Sequence, residues 1–238
     1  MTSHRKAPEA HFEREITLKA GKATLDGTLA LPPGASGLVL FAHGSGSSRL
    51  SPRNRYVAQV LQSRGIGTLL FDLLTREEEA VDQYSAELRF NIGLLAERLI
   101  GATQWVLSQP EMRELKLGYF GASTGAAAAL VAAAKLPDAV SAVVSRGGRP
   151  DLAEDALDAV RAPTLLIVGG DDEPVIGMNR EAMARLRHAV KELVIIPGAT
   201  HLFEEPGKLE EVARIAADWF ARHLAAQPKH HAGTSATR

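Results

Sequence analysis

The 238-residue chain contains no cysteine. That excludes disulfides, thiolate metal sites and a cysteine nucleophile, and it fits a reducing compartment. The chain also lacks an excess of charge of either sign. Its 27 Lys and Arg stand against 28 Asp and Glu, a formal net charge of −1 with pI ≈ 6.7. Composition therefore predicts neither a nucleic-acid partner nor an anionic membrane. Long apolar runs are missing too: the longest, Ala126 to Ala134, stops at Lys135 and is too short and Ala-rich to span a bilayer. The opening residues Met1–Glu9 have no apolar h-region, so no signal peptide is expected and the expected location is cytoplasmic. No internal repeat and no Pro/Ser-rich linker interrupts the chain.

What is present is the composition of an ordinary soluble globule, 45% apolar and 23% charged. A single α/β domain reaches this length and buries about 70–75% of its unfolded surface without disulfide or metal staples. Short apolar, β-branched runs lie at Ile16–Lys19, Ala23–Leu31, Leu38–Ala42, Thr68–Phe71, Leu115–Phe120, Val140–Ser145, Thr164–Val168 and Leu193–Ile196. Amphipathic stretches separate most of them, near Arg55–Arg64, Ala86–Leu107, Gly125–Leu136, Asp151–Val160, Gly177–Val190 and Leu209–Leu224. The run Arg76–Glu79 reads as a solvated, charged helix start. This alternation predicts one α/β domain over 15–224, with a mostly parallel sheet covered by helices on both faces. Residues 1–14 are expected to form a flexible leader and 225–238 a mobile tail. In that tail His230-His231 lacks metal-ligand spacing and reads as solvated.

The chemistry concentrates at four strand ends. Gly121-Ala122-Ser123-Thr124-Gly125 matches G-x-S-x-G, directly after an apolar strand and at the start of an Ala-rich helix. That is the setting in which a strained turn lifts a serine hydroxyl above the sheet. A serine hydroxyl is a weak nucleophile and needs a histidine base, itself oriented by a carboxylate. Asp172, in Gly169-Gly170-Asp171-Asp172-Glu173-Pro174-Val175, is the acid candidate, with Asp171 as the alternative and Glu173 as a solvated neighbour. His201 is the base candidate, in the loop Pro197–Phe203 after the last apolar run. The chain order Ser123, Asp172, His201 is that of α/β-hydrolases. An acyl-transfer site also needs two backbone N–H groups aimed at the developing oxyanion. Thr124 N–H supplies one by position, and Ser45 N–H, in His43-Gly44-Ser45-Gly46, is the chosen second donor. His43 reads as a buttress of that loop.

These features, in order across Leu38 to Leu224, resemble the α/β-hydrolase fold and more narrowly the dienelactone-hydrolase-like group. Phe41–Arg49, Ser51–Arg55 and Ser145–Asp151 resemble a bacterial subgroup sometimes fused to phosphoribosyltransferases. Dienelactone hydrolases proper use a Cys nucleophile, whereas this chain has Ser123, which favours a serine esterase. The resemblance implies a minimal cap, since no insertion between strands is long enough for a large lid.

The expected activity is hydrolysis of carboxylic esters or thioesters through an acyl-enzyme on Ser123, with no cofactor and no metal. Acyl transfer with the same triad, and a non-catalytic binding module on a hydrolase scaffold, are the alternatives. Five arginines, Arg49, Arg53, Arg55, Arg146 and Arg149, follow strands at the expected active-site edge. Either they favour an anionic ester, with Arg53 and Arg146 as substrate-binding candidates, or they pair with Asp72, Asp151 or Glu77 and brace loops.

Overall fold

A computed structural model describes residues 13–225. The expected leader up to residue 12, the tail from 226 and His230-His231 lie outside the described residues. Eight strands form one sheet: β1 (Glu13–Ala20), β2 (Ala23–Ala30), β3 (Gly37–Ala42), β4 (Gly67–Phe71), β5 (Lys116–Ala122), β6 (Val140–Arg146), β7 (Thr164–Gly169) and β8 (Lys191–Ile196). Their order is β1-β2-β4-β3-β5-β6-β7-β8. β1 and β2 pair antiparallel, as do β2 and β4, and the remaining pairs are parallel. Six α-helices connect them: α1 (Pro52–Ser63), α2 (Arg76–Ser85), α3 (Ile92–Ser108), α4 (Thr124–Lys135), α5 (Glu173–Arg185) and α6 (Lys208–Leu224).

The period-2 geometry of a strand explains why the central runs are apolar throughout. In β3, Leu38, Leu40 and Ala42 join the core that holds α3 and α4. Val39 and Phe41 join the opposite core, against α1 and α6. Each fully buried Leu or Phe contributes about 1.5–3 kcal/mol of transfer free energy, so both faces of the centre are anchored where the functional loops emerge.

Four boundaries differ from the sequence reading. β1 begins at Glu13, whose register partner is Ala30, so the strand takes two residues assigned to the leader. The stretch from Ala86 is not continuous helix: Ala86 is left-handed (φ 55), Leu88–Phe90 is a 3₁₀ turn and α3 starts at Ile92. The cause is local. Asp82 Oδ1 accepts the Leu88 and Arg89 amides, and Asn91 caps α3 through the Leu94 amide. Residues Pro150–Ala159 are 3₁₀ with a break at Glu154 (φ 48) rather than α-helix. Helix α5 spans Glu173–Arg185 instead of Gly177–Val190, because Pro174 fits the first helical turn. The charged run at Arg76 does start a helix, α2, with a Thr75/Glu78 capping box. Glu78 is more than a solvated charge: it also accepts from Arg98.

Candidate active site

The site sits at the carboxyl edge of the parallel strands, where ligands bind in such sheets. β5 runs to Ala122, and Ser123 turns the chain into α4 with φ 51 and ψ −120. A non-glycine residue there is strained and persists only where surroundings over-determine it. They do. Ser123 N–H donates to the Arg146 carbonyl at 3.2 Å, and Ser123 C=O accepts from Arg149 N–H at 3.0 Å and Ala126 N–H at 3.1 Å. The flanking glycines serve close approach. A Cβ on Gly121 would run into the Ala126 backbone, and one on Gly125 into the Ala42 and His43 carbonyls.

Asp172 follows β7 at the N-terminus of α5, but its side chain makes no capping bond to that helix. Its Oδ2 instead meets His201 Nδ1 at 2.7 Å. Asp171 is exposed, and its amide donates to the Ala199 carbonyl, tying the acid loop to the histidine loop. Gly147 was not singled out by sequence. It adopts φ +51 after β6 and packs under the histidine, where a Cβ would lie 2.9 Å from the His201 carbonyl and 3.6 Å from its Cε1. Ser123 and His201 line one cavity of about 210 Å³. Among the described residues no hydrogen bond joins Ser123 Oγ to His201 Nε2; such contacts are commonly long in a free enzyme and tighten around substrate.

The loop after β3 is braced as expected of His43. Its Nδ1 bonds the Gly44 carbonyl at 3.0 Å and its Nε2 accepts the Leu73 amide at 3.0 Å. That pattern assigns the neutral Nδ1–H tautomer. Burial pushes the His43 pKa down, against the opposing pull of the Gly44 carbonyl, Asp72 and Glu79. The Ser45 amide differs from expectation. It donates to Thr124 Oγ1 at 3.0 Å, because Thr124 opens α4 with its hydroxyl facing the loop. In this structure that N–H is engaged inside the protein.

The five arginines divide. Arg49 is held by Asp72 and Glu15, and Arg149 by Asp151. Glu77 holds none of them in an ion pair among the described residues. Arg55 borders a groove with Glu13 and Glu15, away from Ser123. Only Arg53 and Arg146 line the Ser123 cavity. A second cavity of about 220 Å³ lies across the loop after β3, between Gly44–Ser48, Leu73, Leu95 and Arg89. Sequence reasoning missed it because residues 86–91 were read as helix.

The dienelactone hydrolase family model matches residues 25–226. The chain belongs to the dienelactone hydrolase family. It is similar to the crystal structure of a dienelactone hydrolase from Anabaena variabilis, at 61% identity and a TM-score of 0.87, covering 90% of this chain and 100% of that one. A Mycobacterium tuberculosis protein called a putative phosphoribosyl transferase is 57% identical over 212 residues, which are 89% of this chain and 47% of that protein. The chain thus spans about half the length of the curated relatives it matches. A lidless α/β serine hydrolase from Xanthomonas campestris, at 23% identity and TM-score 0.71, shares the fold over 91% of this chain and 97% of that one.

The fold is the α/β-hydrolase fold of that family, and the turn from β5 into α4 carries Ser123 in a chain without cysteine. Among the described residues no helix is long and apolar enough to cross a membrane, and no group of three His, Asp or Glu is placed to hold a metal ion.

Proposed function

We propose that the chain hydrolyses carboxylic esters or thioesters through an acyl-enzyme on Ser123. The supporting observation is the 2.7 Å His201–Asp172 bond beside a serine held in a strained elbow. Neutral His201 takes the Ser123 proton at Nε2 while Oγ attacks the carbonyl carbon. Asp172 accepts from Nδ1–H, holds the tautomer and stabilises the imidazolium. Backbone N–H groups at Thr124 and Ser45 receive the oxyanion once the Thr124 hydroxyl shares its bond with the substrate oxygen. His201 then returns the proton to the departing alcohol or thiol, and a water deprotonated by His201 releases the acid.

Water rather than an alcohol is favoured as acceptor because the His201 side chain remains 38% exposed. The test is a fluorophosphonate probe followed by mass mapping of the labelled peptide. A single adduct on Ser123, absent from Ser123→Ala, is expected. Labelling elsewhere, or turnover of aryl esters by Ser123→Ala at the wild-type rate, overturns the reading.

A further inference from the structure

Among the described residues Arg146 is a cation without an anion. It ends β6 opposite Ala122 of β5 in the sheet register, so its side chain starts one strand from the nucleophile. Only 6% of the residue is exposed. Among the described residues its side chain makes one hydrogen bond, Nη2 to Asn54 Oδ1 at 3.3 Å, and its buried Nε has no partner. The guanidinium lies 6.0 Å from the Phe203 ring centroid. No carboxylate pairs with it among the described residues, whereas Arg49, Arg89, Arg98 and Arg149 each have one. Burial, and then the charge of Arg53, push its pKa down to about 10. It remains protonated at neutral pH. Burying an uncompensated charge is strongly destabilising, so the fold carries a cost that an incoming anion would relieve.

The second cation of the cavity is easily released. Arg53, in the first turn of α1, has one ion pair among the described residues, with Glu204 at 2.9 Å, and the acid of that pair is 63% exposed. Such a pair contributes little in water. Freed from Glu204, Arg53 faces the same cavity as Arg146, at a helix N-terminus that itself favours negative charge. Asn54 and Ser47 add polar groups to the wall. One guanidinium fork satisfies a carboxylate. Two guanidiniums and further donors converging from α1 and β6 suit a group with three oxygens and up to two charges.

We propose that the Ser123 cavity takes esters that carry a phosphate group, seated between Arg146 and Arg53. The proposal rests on the ester-hydrolase reading and adds its substrate class. Aryl esters with a common leaving group and acyl chains ending in methyl, carboxylate or phosphate provide the test. At low salt, kcat/KM for the phosphate ester exceeds that for the methyl ester on the order of 10- to 100-fold, the range of one or two charge-assisted hydrogen bonds. Added salt shrinks the ratio. Arg146→Met, and separately Arg53→Gln at its half-exposed position, collapse the ratio toward one. A ratio unchanged in both variants overturns the proposal, and a carboxylate ester equal to the phosphate ester overturns the choice of phosphate.

Binding is also read without turnover. Inorganic phosphate should raise the Tm of Ser123→Ala relative to chloride at equal ionic strength, and should not raise that of Ser123→Ala/Arg146→Met. No rise in the first protein overturns the anion site whatever the hydrolysis assays give. A rise in a protein whose wild type hydrolyses none of the esters keeps the anion site and refutes the hydrolase reading.

Discussion

The Ser45 amide and the Thr124 hydroxyl, 79 residues apart in sequence, are joined by a 3.0 Å hydrogen bond. The bond pins the loop after β3 to the first turn of α4, so the two backbone donors of the proposed oxyanion hole move as one unit. In the proposed mechanism Thr124 is thereby a positioning residue. Thr124→Val, which keeps the shape and removes the acceptor, should lower kcat on the order of 10-fold with little change in KM. This is less than the ~10²–10³-fold cost of deleting a donor outright. Thr124→Ser should stay near wild type. Affinity for a boronic-acid mimic of the tetrahedral state should fall with kcat. A faster Thr124→Val enzyme would mean that the hydroxyl blocks the Ser45 amide instead of aiming it.

The proposed triad predicts unequal losses. Ser123→Ala should lower kcat by as much as ~10⁶-fold, and Asp172→Asn by ~10⁴-fold through the wrong histidine tautomer. Asp171 is exposed and contributes to the histidine loop through its backbone N–H, so Asp171→Asn should stay within a few-fold of wild type. Steady-state rates on one aryl ester decide among them. A crippled Asp171→Asn beside a mild Asp172→Asn would reassign the acid.

Gly147 offers a test of how His201 is seated. Its φ of +51 costs an L side chain roughly 1 kcal/mol, and an added Cβ would press on the His201 carbonyl. Gly147→Ala should fold with a Tm lowered by several degrees. Its kcat/KM should fall up to ~10²-fold, as displacements of about 1 Å at reacting groups do. Wild-type kinetics with a lowered Tm would confine Gly147 to stability.

His43 links stability to acid. Its folded pKa is depressed below 6.5, so the unfolded chain takes up the proton first as pH falls. Stability therefore rises with pH up to about 6.5 and is lost on acidification toward the lower folded pKa. Structurally, protonating Nε2 removes the acceptor of the Leu73 amide. Urea midpoints at pH 7 and pH 5 should separate more for wild type than for His43→Gln. An equal separation would exclude His43 as the group responsible.

Local chemistry alone determined much of this protein. Continuous apolar runs with helical stretches between them specify a two-faced parallel sheet, because only strands covered on both sides are apolar at every position. The G-x-S-x-G turn, and a carboxylate and a histidine at later strand ends, follow the chain order of a hydrolase because each sits at a junction that punctuation residues mark. Tertiary structure decided what depends on partners distant in sequence. Asp82 reaching the Leu88 and Arg89 amides broke a helix that periodicity alone would continue. Spacing already favoured Asp172 over Asp171; the folded loops add the 2.7 Å contact of its Oδ2 with His201 Nδ1. The five arginines are chemically alike in sequence. Packing gave Arg49 and Arg149 carboxylates, released Arg55 to the surface and left Arg146 buried beside the Ser123 cavity with no carboxylate partner among the described residues. A charge acquires its role from the dielectric and counter-ions around it, and those exist only once the chain is folded.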